Sequence, residues 1–268
     1  MVGSPDTEAL RAEMMDLPDW YHKIDLGNGL VTPGRDYEPI WSVCQATMDQ
    51  IDFTGKRVLD IGACDGKWSF AAEQRGAAMV VAVDLFDYAL DRFMFCKRVL
   101  RSGVAPLYNV SVYDLIDSLG RYLAPADAPF APYSNKFDVV LFFGVLYHLR
   151  DPLLALAQVR SVVKNDGVVL LETAYAYQEE RSVMIFHGGS RKRFYNDPTT
   201  WWLPSEPALL EMCETTLLQP RLRTCTRIKQ DHQAGRIGLV CEPTTYSNLT
   251  TEMAYEIANH YPVPLPKV

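Results

Sequence analysis

The stretch "VLDIGACDG", Val58 to Gly66, ends an apolar run on an acid and then turns through a loop bounded by glycines. Such a loop suits a nucleotide, because glycine lets the backbone approach a ligand and a helix starting near Lys67 offers its free amides. Asp60, Gly62, Ala63 and Gly66 are therefore candidate cofactor contacts. A pyrophosphate fingerprint has three glycines in the pattern G-x-G-x-x-G. Here the spacing is G-A-C-D-G, and carboxylates flank or occupy the loop at Asp60 and Asp65. Two acids serve a pyrophosphate poorly. They suit a sulfonium with an amino-acid tail better, since they can face its ammonium or organise water beside it. Cys64, small and apolar, reads as loop lining.

Further along, Asp84 closes a second apolar run, 22 residues after Gly62. An acid there can accept both ribose hydroxyls, with Leu85 beside it, and it does so for NAD as well as for other adenosyl cofactors. In "NVSVYDL" (109–115), Asp114 can accept from an adenine amino group, with Val112 and Tyr113 alongside; a helix-start role for Asp114 explains it equally well. Phe143 ends another apolar run and completes the cofactor set. Just after it come Tyr147 and His148, where a donor and an acceptor would meet. Tyr147 can bond the acceptor. His148 can take a proton from a hydroxyl, or serve as a hydrogen-bonding residue at a helix entry. In "FHGGSRKRFYN", His187, Arg191 and Tyr195 accompany a Gly188–Gly189 hinge, a composition that fits a lid or acceptor clamp as well as a solvated loop. Trp201 can stack a planar substrate or pack a seam, Trp20 and Tyr21 can close the pocket or anchor an N-terminal arm, and His22 is a further candidate substrate contact.

Those residues need elements to hold them. "RVLDI" (57–61), "MVVAVD" (79–84), "FDVVLFF" (137–143) and "GVVLLET" (167–173) are short, Val- and Leu-rich, and read as strands buried on both faces. Between them "KWSFAAEQRG", "YALDRFMFCKRVLRSG" and "PLLALAQVRSVVKNDG" have helical spacing and each closes on glycine. The alternation predicts right-handed crossovers and a Rossmann-like, doubly wound α/β sheet. Helices are expected over 38–51 and 205–218. A closing antiparallel hairpin of 221–228 and 236–242 is expected at a sheet edge. The organisation expected is an N-terminal arm and helix covering the site (1–52), a catalytic domain (53–245) with a lid or acceptor segment at 174–204, and a tail (246–268).

The six cysteines are scattered with no CxxC pair, and the five histidines do not cluster, so reduced thiols and no metal are expected. The N-terminus has no basic start and no unbroken apolar run. Neither a signal peptide nor a transmembrane helix is expected, and the cytoplasm is the expected compartment. The net charge of −7 is uneven: residues 181–240 carry +4 and the remainder −11. A basic segment on an acidic body can steer an anionic partner, or simply balance a solvated face.

Over about residues 56–242 the order of acid-G-x-x-x-G, Asp84, Asp114 and "FFGVLYHL" resembles class I S-adenosylmethionine-dependent methyltransferases. The resemblance implies a sheet of about seven strands whose last strand is antiparallel. The segments "WYHKIDLGNGLVTPG" (20–34), "GVLYHLRDPLLAL" (144–156) and "FYNDPTTWWLPSEPAL" (194–209) are similar to the tRNA wobble-uridine methyltransferase-like family. Its carboxymethyl branch holds the donor's extra carboxylate with a lysine, a tyrosine and an arginine. Tyr147 falls on the tyrosine and Arg236 on the arginine, while the lysine segment does not align. Plain S-adenosyl-L-methionine is therefore the expected donor rather than carboxy-S-adenosyl-L-methionine. The expected function is O-methylation of a small-molecule acceptor. The alternatives are a tRNA wobble-uridine methyl- or carboxymethyltransferase, a non-catalytic protein that binds the same cofactor, and an NAD-dependent enzyme.

Overall fold

Each apolar run of the sequence becomes a strand with both faces covered. The computed structural model describes residues 7–123, 136–187, 199–221, 226–229 and 234–244. Its strands are β1 (Arg57–Ile61), β2 (Met79–Val83), β3 (Ala105–Leu107), β4 (Phe137–Phe143), β5 (Val163–Ala176), β6 (Met184–Phe186), β7 (Trp202–Pro204), β8 (Leu218–Pro220), β9 (Thr226–Lys229) and β10 (Ala234–Pro243). Its helices are α1 (Thr7–Asp16), α2 (Glu38–Met48), α3 (Lys67–Gln74), α4 (Leu90–Leu100), α5 (Leu115–Leu123), α6 (Pro152–Val162) and α7 (Glu206–Thr215).

Eight strands form one sheet in the order β3-β2-β1-β4-β5-β10-β8, with β9 also paired to β10; β6 and β7 make a separate ribbon. The pairs among β1 to β5 are parallel, whereas β10 runs antiparallel to β5, β8 and β9. Alternate strand residues enter opposite cores. Val58, Ala82, Val139 and Leu141 pack with Trp41, Phe70 and Phe93 on one face. Leu59, Val81, Val140 and Phe142 pack with Leu119, Leu156 and Leu209 on the other. Two buried faces are why these strands read as continuous apolar runs rather than alternating ones.

Local chemistry sets several boundaries. Asp151 caps α6 by accepting from Leu154 N, with Pro152 in the first turn, and Ser205 caps α7 by accepting from Ala208 N. Three expectations shift. The stretch after Val162 is already strand, so β5 begins four residues before Gly167 instead of continuing the helix. Helix α7 stops at Thr215, and Leu217 at φ 62° turns the chain into β8. Pairing of β8 with Cys241–Pro243 then makes β8 the sheet edge, so β10 lies inside the sheet, with β5 on one side and β8 and β9 on the other. Among the described residues the expected edge hairpin is β9 against β10, Gly235 opposite Lys229. The expected tail, 246–268, lies outside the described residues. Among the described residues no helix is long and apolar enough to cross a membrane.

The strand order reverses between β1 and β4. In an open parallel sheet that reversal opens a crevice beyond the carboxyl ends of the strands, where ligands bind.

Candidate active site

The loop after β1 is built from both its backbone and its neighbours. Gly62, Cys64 and Gly66 all have positive φ, at 78°, 50° and 96°. A β-carbon on Gly62 would collide with Val145 Cγ2, and one on Gly66 would lie 2.5 Å from Phe70 and 2.7 Å from Phe93. The glycines are therefore required by close packing inside the protein as well as by backbone conformation. Cys64 occupies the left-handed region without glycine's freedom. It is held there by Asp84, whose Oδ2 accepts from Cys64 N at 2.8 Å, and by Tyr108, whose hydroxyl donates to the Cys64 carbonyl. Burial pushes the Cys64 thiol up to about 12, so it is not a reactive thiolate.

The acids of the loop have separate tasks. Asp60 is buried under the loop, where it accepts from Ser69 Oγ at 2.5 Å. Burial raises its carboxyl to about 7 against the opposing Ser69 hydrogen bond. Asp65 does not face the crevice as the sequence suggested. It is fully buried, and its Oδ2 accepts from Tyr21 N and His22 N, each at 2.9 Å, while Oδ1 pairs with His22 Nδ1. Burial raises the Asp65 carboxyl, but His22 and the two amides prevail and hold it below the usual carboxylate range. His22, expected on the acceptor side, is instead turned inward and only 4% exposed. His22, Cys64 and Asp65 each bring a metal-ligating atom within 4.8 Å of one another. Asp65 uses both its oxygens on the arm.

Asp84 stands at the end of β2, its Oδ1 accepting from Phe86 N at 3.2 Å and its carboxyl raised by burial. Leu85 beside it is 49% exposed and Phe86 60% exposed, an apolar ledge at the crevice. Ala63 is buried, its N–H donating to Val83 O. Phe143 is also buried, edge-on to Trp68 at 5.7 Å. Val112, Tyr113 and Asp114 form a short 3-10 turn capped by Ser111. Asp114 accepts from Ser118 Oγ at 3.2 Å and lies 3.8 Å from Arg121, so its carboxylate serves the start of α5. Tyr113 accepts from Asp151 N through its hydroxyl.

Across the crevice, at the end of β4, Tyr147 and Arg236 converge. A β-carbon on Gly144 would lie 3.8 Å from the Tyr147 hydroxyl and 3.9 Å from Arg236 Nη2. The Arg236 guanidinium sits 4.7 Å from the Tyr147 ring centre and donates to both oxygens of Glu172, at 2.5 and 2.7 Å. Sequence reasoning passed over Glu172, although an acid ending the apolar run "GVVLLE" was the available signal. Burial raises the Tyr21 hydroxyl, with Tyr147 adding to the shift and Arg236 opposing it.

The ribbon of β6 and β7 closes this side. His187 is buried and its N–H donates to Trp201 O at 2.8 Å; Trp201 N donates to Tyr147 O at 2.9 Å. Thr199 meets His148 Nδ1 through its hydroxyl at 2.9 Å, so the His148 ring tethers the ribbon. Trp201 lies under Arg150 at 4.4 Å and near Phe186. Arg191 and Tyr195, with the rest of 188–198 in the expected lid, fall outside the described residues.

A family model described as "Methyltransferase domain" matches residues 42–216. The chain is similar to the tRNA U34 carboxymethyltransferase of Campylobacter hominis, 30% identical over 164 residues, 61% of this chain and 50% of that protein. It is as similar to the enzyme of the same name from Colwellia psychrerythraea, 30% identical over 165 residues, 60% of this chain and 45% of that protein. The chain thus spans about half the length of the curated relatives it matches. Among solved structures, the N-terminal domain of EvdMO1 with SAH bound superimposes with a TM-score of 0.64 at 17% identity, covering 89% of this chain and 98% of that one. The Burkholderia thailandensis 1,6-didemethyltoxoflavin-N1-methyltransferase gives 0.53 at 16% identity, covering 91% and 92%. These neighbours share the Rossmann-like fold, and with two thirds of its length matched by the family model, the chain belongs to the methyltransferase-domain family.

Proposed function

We propose that this chain is an S-adenosyl-L-methionine-dependent methyltransferase acting on a uridine of tRNA, at the wobble position named in its curated relatives. The observation that carries the reading is the meeting of Tyr147 and Arg236 beside Gly144, across the crevice from the Gly62–Gly66 loop. The donor half fits its residues: a backbone-lined loop, Asp84 at the end of β2 for ribose hydroxyls, and the exposed Leu85–Phe86 ledge for an adenine. When bound, the donor supplies a sulfonium methyl group open to in-line attack. The protein's work is to align the acceptor, exclude water and let a proton leave the attacking atom. Tyr147, backed by the Glu172-paired Arg236 against its ring, holds the acceptor, Trp201 and Tyr21 wall it, and His187 stands near as a polar group for the departing proton. His148 positions the ribbon.

A second reading, O-methylation of a small molecule, is favoured by the −7 net charge. The Burkholderia neighbour, named for a small-molecule substrate, agrees with it. Incubation with methyl-labelled donor and bulk tRNA, followed by digestion to nucleosides and mass spectrometry, separates the two. Label in a modified uridine supports the first reading, and a parallel incubation with carboxy-S-adenosyl-L-methionine tells methyl from carboxymethyl transfer by the added mass. Undetectable tRNA binding at low salt, where phosphate contacts are strongest, removes it in favour of the second.

A further inference from the structure

The N-terminal arm is more than a cover, because its anchors come from the cofactor loop itself. Between Trp20 and Arg35 the arm closes on itself: Thr32 Oγ1 donates to His22 O at 2.6 Å and accepts from Ile24 N at 2.7 Å, and Arg35 N donates to Tyr21 O at 3.1 Å. Gly34 packs so tightly on the His22 backbone that a β-carbon there would overlap it. This internally bonded unit is held by the residues around Gly66. Asp65 takes two of its amides and the His22 ring, and Lys67 Nζ, two residues later, donates to Lys23 O at 2.7 Å. Asp65 and Lys67 bracket Gly66 at the start of α3, so the grip and the cofactor loop are a single piece of chain.

On the far side of the same unit stands Tyr21. Its ring lies 5.9 Å from Tyr37 and 5.7 Å from the Arg35 guanidinium, and its hydroxyl is within electrostatic reach of Tyr147 and Arg236.

We propose that Asp65 is a positioning residue that couples the two halves of the site: by clamping the arm through His22 it makes cofactor loading and placement of Tyr21 on the acceptor wall one event. The proposal rests on the reading that the loop binds an adenosylated cofactor. Linkage makes the coupling reciprocal: if the cofactor steadies the arm, the clamped arm tightens the cofactor by the same factor.

The test uses the full chain, S-adenosylhomocysteine as probe, calorimetry for its affinity and amide hydrogen exchange for residues 18–35. In the wild type the probe is expected to slow arm exchange on the order of tenfold. In Asp65→Ala and in His22→Ala, ligand-free arm exchange speeds up, and probe affinity falls by the same factor as the lost probe-dependent protection. Asp65→Asn, whose amide oxygen can still accept both arm N–H groups, restores most of both. His22→Ala is the decisive variant, because it breaks the clamp from the arm side and keeps every residue of the cofactor loop, Asp65 included. The proposal is overturned if arm exchange ignores the probe in the wild type. It is also overturned if Asp65→Ala weakens the probe while His22→Ala does not, which would mean direct cofactor contact. Failure of the probe to bind the wild type strikes the cofactor reading instead, and ligand-free exchange in the three variants still reports the clamp.

Discussion

Removing one partner of the Glu172–Arg236 pair should cost far more than removing both. The two side chains are 1% and 5% exposed and joined by two hydrogen bonds. Little water can reach either charge if the other is lost. An uncompensated buried charge of this kind costs about 3–5 kcal/mol, whereas replacement of a whole pair by neutral groups of similar volume is often close to neutral. For a domain of this size about 1 kcal/mol moves the melting temperature by roughly 2–4 °C. Glu172→Gln and Arg236→Met are each expected to lower it by about 6–20 °C, within the margin a folded domain of this class can lose. The double variant Glu172→Gln/Arg236→Met should regain most of that loss, leaving chiefly the lost contact of Arg236 with the Tyr147 ring. Urea denaturation of the four proteins closes the cycle. If each single variant costs under about 1 kcal/mol, the pair is not buried as described. If the double variant costs the sum of the singles, the charges do not depend on each other. A double variant that is stable yet inactive would assign the pair to the acceptor site.

Three further outcomes follow from individual residues. Gly62→Ala should lose cofactor affinity, since the residue sits at φ 78° and its β-carbon would meet Val145 Cγ2; calorimetry should show partial recovery in the Val145→Ala background. Asp60 has a carboxyl raised by burial from 3.8 to about 7, so the native state holds its proton more tightly than the unfolded chain does. Its contribution to stability is then largest below pH 3.8 and is lost as pH rises through about 7, by up to ~4 kcal/mol at ~1.4 kcal/mol per pKa unit. Denaturation curves of Asp60→Asn should lack that slope, and an identical slope would refute the assignment. His148→Asn keeps an amide able to reach Thr199, so kcat should stay within about tenfold; a general base would lose on the order of 100-fold or more.

The amino-acid sequence alone determined the sheet and the glycine-bounded loop after β1. Runs such as "VVLLE" can be satisfied only by burial on both faces, and glycines at 62 and 66 mark a loop no other residue type fits. Those are local properties, legible from composition and spacing. Tertiary structure decided what each charged group does. Asp65 reads as a loop acid until His22, 43 positions away, is seen against it, and Arg236 reads as a ligand for an anion until Glu172, 64 positions away, fills its fork. It also decided that β8 joins β9 along the outer side of β10, because pairing across a sheet joins residues that no spacing rule connects. A buried charge takes its role from its partner, and the partner is chosen only when the chain folds.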